Sequence, residues 1–117
     1  MGFLPSSAVR ANLPPAGAVN GKRARIAAAL HRLAPRAPAF EREAILDHAL
    51  DSPGLSTATP ETAAWLSMVS YVRHVLTDYD ALLAEGYDRD SARHFVLDQT
   101  AEILVEWGCK RRLDAES

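Results

Sequence analysis

The sequence predicts an all-α fold: four helices dominated by a long antiparallel C-terminal helical hairpin, preceded by a disordered N-terminal arm. Three observations lead there. β-branched residues are few and no stretch alternates over the length of a strand, whereas apolar residues recur three and four apart. All seven prolines lie at or before position 60, so the second half of the chain holds no helix breaker of that kind. Gly86 and Gly108 stand where two apolar stripes end, in the position that a helix C-terminus favours. With 117 residues, 48% hydrophobic and 24% charged, the chain suits one folded domain. No apolar run approaches the ~18 residues of a membrane-spanning helix.

Residues 1–20 hold Pro5, Pro14, Pro15, Gly2 and Gly17 without apolar periodicity and read as a flexible arm. Met1-Gly2 with Ser6 matches a loose myristoylation pattern, but Pro5 sits inside it. No basic start followed by an apolar stretch marks a secretory signal, and the expected location is cytoplasmic. The domain spans 21–108. Its first helix runs from about Gly21 to Ala34 with Ile26, Leu30 and Leu33 on one face, stopped by Pro35. The second starts near Pro38, turns Phe40, Ala44, Ile45 and Leu50 inward and ends near Asp51.

Thr59 as N-cap, Pro60 in the first turn and Glu61 at the positive end open the third helix. Trp65, Met68, Val69, Val72, Val75, Leu76, Tyr79, Leu82 and Leu83 keep a three-four spacing, which favours one long helix from about Pro60 to Glu85 over two helices broken at Thr77-Asp78. Asp88 caps the fourth helix, with Tyr87 placed to staple onto Ala92, and Ala92, Phe95, Val96, Ile103 and Trp107 form its apolar face. The short link around Gly86 makes the third and fourth helices antiparallel neighbours. Residues 109–117 form a tail, basic and then acidic. Its Cys109 is the one cysteine, so no internal disulfide or multi-cysteine zinc site exists, and no fixed charged partner activates its thiol.

The formal net charge of −2 hides a split. Residues 1–40 carry six Lys or Arg and no Asp or Glu, whereas residues 41–117 carry seven against fifteen. A basic first helix can match the acidic remainder of its own chain. It can also bind a polyanion through Lys22, Arg23, Arg25, Arg32 and Arg36, extended by Arg10.

Two His-Asp pairs, His74 with Asp78 and His94 with Asp98, have the four-residue spacing of metal ligands on a helix. At 100° per residue, however, each histidine falls roughly opposite the apolar stripe of its helix, so the pairs point apart and read as solvated surface pairs. No metal site or cofactor is expected. Phosphate-loop, metalloprotease and nucleophile-elbow motifs are missing, so no catalytic residue is assigned. A more informative group lies at the hinge end of the hairpin. Tyr79 sits on the core stripe and needs a partner for its hydroxyl. Asp80 comes level with Arg93, which predicts an interhelical ion pair from Asp80 to Arg93 or Arg89. Tyr79, Asp80, Arg89 and Arg93 are therefore either a structural clamp or, with an arginine left over, an anion-binding cluster.

From His74 the chain reads His74-x-x-Thr77-x-Tyr79-Asp80-x-Leu82-Leu83-x-x-Gly86-x-x-Arg89-x-x-Ala92-Arg93-x-x-Val96, and then Trp107. This resembles the bacterial family known as domain of unknown function 2293, loosely over residues 25–108 and well over 72–107. The resemblance implies a small all-α domain and brings no established activity, cofactor or catalytic residue. It adds His74 and Thr77 as secondary polar positions.

The sequence thus favours a non-catalytic protein-interaction or self-assembly module. Leu97, Leu104, Val105 and Tyr71 fall off the main stripes and are candidates for a dimer patch. Nucleic-acid binding through the basic arm and first helix is the alternative, and a small enzyme or metal protein the second alternative. No membrane partner is expected.

Overall fold

The computed structural model describes residues 21–113. The expected arm, with Arg10 and the myristoylation-like start, and the acidic end of the tail lie outside the described residues. Among those described there are six α-helices and no strand: α1 (Lys22–Leu33), α2 (Ala39–Asp51), α3 (Pro60–Leu76), α4 (Tyr79–Ala84), α5 (Arg89–Phe95) and α6 (Leu97–Glu106). A single 3₁₀ turn, Pro53–Leu55, follows α2.

α3 is the central helix and packs on α1, α2 and α6. Its start is as expected: Thr59 Oγ1 accepts from the Thr62 N–H at 3.2 Å, with Pro60 and Glu61 in the first turn. Ile26 and Leu30 of α1, Ile45, Leu46 and Ala49 of α2, Trp65, Met68, Val69 and Val72 of α3, and Leu104 of α6 form the main core. Each such side chain, fully buried, contributes roughly 1.5–3 kcal/mol when large and apolar. A second, smaller core of Tyr79, Ala92 and Val96, flanked by Leu82 and Leu83, joins α4 to α5.

The predicted four-helix arrangement with one long hairpin is corrected at two joints. The stripe through Tyr79 is not one helix to Glu85. Thr77 is extended (φ −130°, ψ 178°), and α4 begins after Asp78. The Thr77 hydroxyl donates to the Arg73 carbonyl and accepts from the Tyr79 N–H at 3.2 Å, so one side chain serves both helix ends at the break. The fourth helix divides at Val96 (φ −101°, ψ 8°), where the Thr100 hydroxyl bonds back to the Val96 carbonyl at 2.8 Å. Apolar spacing continues across both joints, which is why it reads as continuous helix.

The second joint also changes which residues are inside. Thr100, Leu104 and Trp107, spaced four and three apart, face the core, while Phe95 is 59% exposed. Phe40 of α2, expected inside, is 79% exposed. It lies roughly 140° around the helix from Ile45, so Leu46 and Ala49 take its place in the core. Tyr87 meets Phe95 edge-on at 5.2 Å between ring centroids, where a staple onto Ala92 was expected.

The end of α6 is held by the α1–α2 connection. The Arg36 backbone N–H donates to Trp107 O at 2.9 Å, and its guanidinium donates to Glu106 O at 3.2 Å and Val105 O at 3.3 Å. These carbonyls belong to the end of α6 and find no partner within the helix itself, although Val105 O also accepts from the Gly108 N–H at 2.9 Å. Gly108 follows with φ +87°, and a Cβ there would lie 3.1 Å from Pro35 Cγ. The tail then brings the Arg111 guanidinium over the Trp65 ring, 4.2 Å from its centroid.

Gly108→Ala should therefore lower stability by about 1–3 kcal/mol. Gly86→Ala, also left-handed at φ +106° but with open space around it, should cost less. Chemical denaturation of both variants checks the order.

Tyr71 of α3 donates a short hydrogen bond to Glu41 of α2. Burial, followed by that hydrogen bond and the Glu41 charge, pushes its phenol from 10.0 up to about 12. A raised folded-state value means that this contribution to stability is complete below about pH 10 and is lost as the pH rises towards 12. Ultraviolet titration should show one phenol ionising near pH 12 that disappears in Tyr71→Phe.

Candidate functional site

The break after α3 determines what the polar residues near it can reach. In an unbroken helix His74 and Asp80 would stand about 120° apart and ~9 Å along the axis. Here His74 Nδ1 and Asp80 Oδ1 are 2.6 Å apart. Asp80 therefore pairs with His74, and the expected ion pair from Asp80 to Arg89 or Arg93 is not formed. His74 likewise pairs with Asp80 rather than with Asp78 four residues on. The reason is geometric: the extended Thr77 turns the first turn of α4 back towards the last turn of α3.

The same turn carries Tyr79 inward. It is 3% exposed, its ring packs edge-on against His74 at 5.0 Å, and the Arg73 guanidinium lies 5.5 Å from its centroid. Gly86 then reverses the chain. The Asp88 carboxylate caps α5 by accepting from the Ser91 N–H at 2.8 Å, which also holds its pKa below the usual carboxylate range. α5 brings Arg89 and Arg93, four apart on one face, beside Tyr79.

The result is a pocket of about 270 Å³ lined by Ser70, Arg73, His74, Tyr79, Leu83, Arg89 and Arg93. Three arginines line it, and no Asp or Glu does. Arg73 is 9% exposed; burial first, and then the neighbouring Arg93 charge, depress its pKa, with Tyr79 acting in the opposite direction. Arg73 is itself engaged within the chain. Arg93 Nε is enclosed with no hydrogen-bond acceptor among the described residues. Neither Arg89 nor Arg93 forms an ion pair among them. Enclosed like charges with an unused donor are costly, and an anion entering the pocket would offset that cost.

Of the positions singled out in the sequence, the fold gathers Tyr79, Arg89, Arg93 and His74 at this pocket. Asp80 stands behind His74, and Thr77 holds the turn beneath. Arg73 was missed. Its signal was its place four residues after Val69 and three before Leu76, where an arginine interrupts the core-facing side of α3.

The basic positions of α1 are arranged differently. Arg23 pairs with Glu43 at 3.0 Å and Asp47 at 3.3 Å, and Arg32 with Glu61 at 3.2 Å. Lys22 Nζ donates to Ser56 O at 2.8 Å, Arg36 caps α6, and Arg25 too is engaged. Among the described residues no group of three or more His, Cys, Asp or Glu side chains is gathered closely enough to hold a metal ion. Cys109 is buried in the main core.

Fold and site thus define a small all-α domain with an arginine-lined pocket at the α3–α4–α5 junction. The chain belongs to the DUF2293 family, described as an uncharacterized conserved protein, whose family model matches residues 29–108. The match includes every residue of the pocket. No curated protein and no solved structure matches the chain.

Replacing Arg93 with methionine removes a like charge from beside Arg73 together with an unsatisfied enclosed donor. Arg93→Met should leave the melting temperature unchanged or raise it, as when buried charges give way to apolar groups of similar volume. A fall of about 4 °C or more, equivalent to roughly 1 kcal/mol for a domain of this size, would show that Arg93 holds the fold together.

Proposed function

We propose that this protein is a non-catalytic interaction module that recognises a negatively charged group on its partner at the Arg73–Arg89–Arg93 pocket. One observation carries the reading: two arginines without ion pairs and a third, buried one converge around Tyr79, and no described acid lines the space between them. Arginine suits this role because its planar fork holds carboxylate or phosphate oxygens through paired hydrogen bonds. The pocket offers donors and positive charge, and no hydrogen bond among the described residues joins the Ser70 or Tyr79 hydroxyl to the His74 imidazole, so binding is favoured over catalysis.

Self-assembly through surplus apolar residues has less support. Leu104 is buried in the main core and Tyr71 packs against it, which leaves Val105, 64% exposed, as the most accessible of the four. Polyanion binding through α1 is also less favoured, because its basic side chains already have partners in their own chain.

The test compares melting temperatures in chloride, acetate, sulfate and phosphate at equal ionic strength, for the natural protein and an Arg89→Ala/Arg93→Met variant. The general salting effect of each anion is common to both proteins. Specific binding should give the natural protein an additional rise that the variant lacks, following ligand linkage. Identical responses in the two proteins would remove the pocket as a binding site.

A further inference from the structure

We infer that the group taken by this pocket is a dianionic phosphoryl group, a phosphate monoester, rather than a carboxylate or a phosphodiester. The inference rests on the anion-recognising reading above and names its ligand class.

Arg89 and Arg93 stand four apart on α5, and both line the pocket together with Arg73 of α3. Arg93 Nε adds an N–H that has no acceptor among the described residues. A carboxylate has two oxygens and fills one guanidinium fork, which leaves the second fork without a partner. A phosphate monoester presents three terminal oxygens and can accept from two forks while still facing a third cation. Ser70 and Tyr79, also in the lining, are neutral hydroxyl-bearing side chains that can donate to an anion.

Arg73 is almost wholly buried beside Arg93, and the Arg93 charge acts against its protonated form. Arginine stays protonated in proteins, and neither Arg89 nor Arg93 forms an ion pair among the described residues, so two positive charges at the pocket have no described counter-charge. A dianion offsets both of these charges, whereas a carboxylate or a phosphodiester offsets one. Asp80, which follows Tyr79, is held on the His74 imidazole at 2.6 Å.

About 270 Å³ is below the ~300–1,000 Å³ of pockets that enclose drug-sized ligands. The space suits a phosphoryl head with its ester carbon against Leu83, and leaves the remainder of the ligand outside.

The experiment is calorimetric titration of the full chain at low ionic strength and pH 7.5 with methyl phosphate, dimethyl phosphate and acetate. The two phosphates share tetrahedral shape and differ by one charge. Methyl phosphate should bind about tenfold or more tightly than either monoanion, and Arg93→Lys, which keeps the charge but loses the fork and Nε, should weaken it by about tenfold. Arg89→Ala changes an exposed residue, so it tests the site without burdening the fold. It too should weaken binding. Inorganic phosphate and the N-acetyl amide of phosphoserine are run beside these, and the tighter of the two identifies a free ion or a phosphorylated side chain as the source. Equal affinity for all three methyl-bearing anions, abolished by the arginine variants, would overturn the phosphoryl assignment and keep the anion pocket. Absence of binding, or binding that the variants leave unchanged, would overturn both.

Discussion

The site depends on one hydroxyl group. Thr77 Oγ1 accepts from the Tyr79 N–H and donates to the Arg73 carbonyl, and so ends α3 and starts α4 within two residues. Continuous helix would have sent the chain on along its axis. The break instead places Asp80 against His74, Tyr79 beneath Arg73, and the Gly86 turn where α5 can return with Arg89 and Arg93. The small core of Tyr79, Ala92 and Val96 then fixes α5 on α4. Packing and polar geometry meet in Tyr79, whose ring belongs to the core and to the pocket wall at once.

Arginine has two distinct uses in this chain. On α1 it supplies surface charge that acids of α2 and α3 match, with both partners more than half exposed. Such pairs contribute little stability, about 0.2–1 kcal/mol each, but they occupy the basic face. At the α3–α5 junction arginines are drawn together with no described acid among them. A fold selected for stability alone would place a carboxylate or an apolar side chain there. Of the basic half, Arg23 and Arg32 meet acids of the other half, and Lys22 and Arg36 meet backbone carbonyls.

Much of the fold was legible because it rests on local chemistry. Thr59, Asp88, Gly86 and Gly108 mark helix ends through caps and left-handed turns, and the stripe from Trp65 to Val72 marks the central helix. The joints at Thr77 and Val96 were not legible as breaks, because apolar spacing runs across them and the deciding interactions are single hydroxyl bonds. Phe95 faces solvent for a related reason, since the joint at Val96 turns the helix after it, whereas Phe40 simply lies too far around α2 from Ile45 to share its face. Tyr79, Arg89 and Arg93 were found together from hairpin register. Their relation to Asp80 was wrong because register assumes straight helices, and Arg73 was overlooked because a charged residue on a core face reads as an interruption.

The central claim is that the arginine pocket, and not the basic face of α1, is where this chain meets an anion. The most direct measurement is a nuclear magnetic resonance titration of the ¹⁵N-labelled protein with methyl phosphate, following the arginine Nε–H signals and the backbone amides together. The account predicts that the Arg93 Nε–H signal moves first and furthest, accompanied by amides from the end of α3 through α5, while those of α1 stay in place. Movement concentrated in α1 with an unshifted Arg93 Nε–H would contradict it.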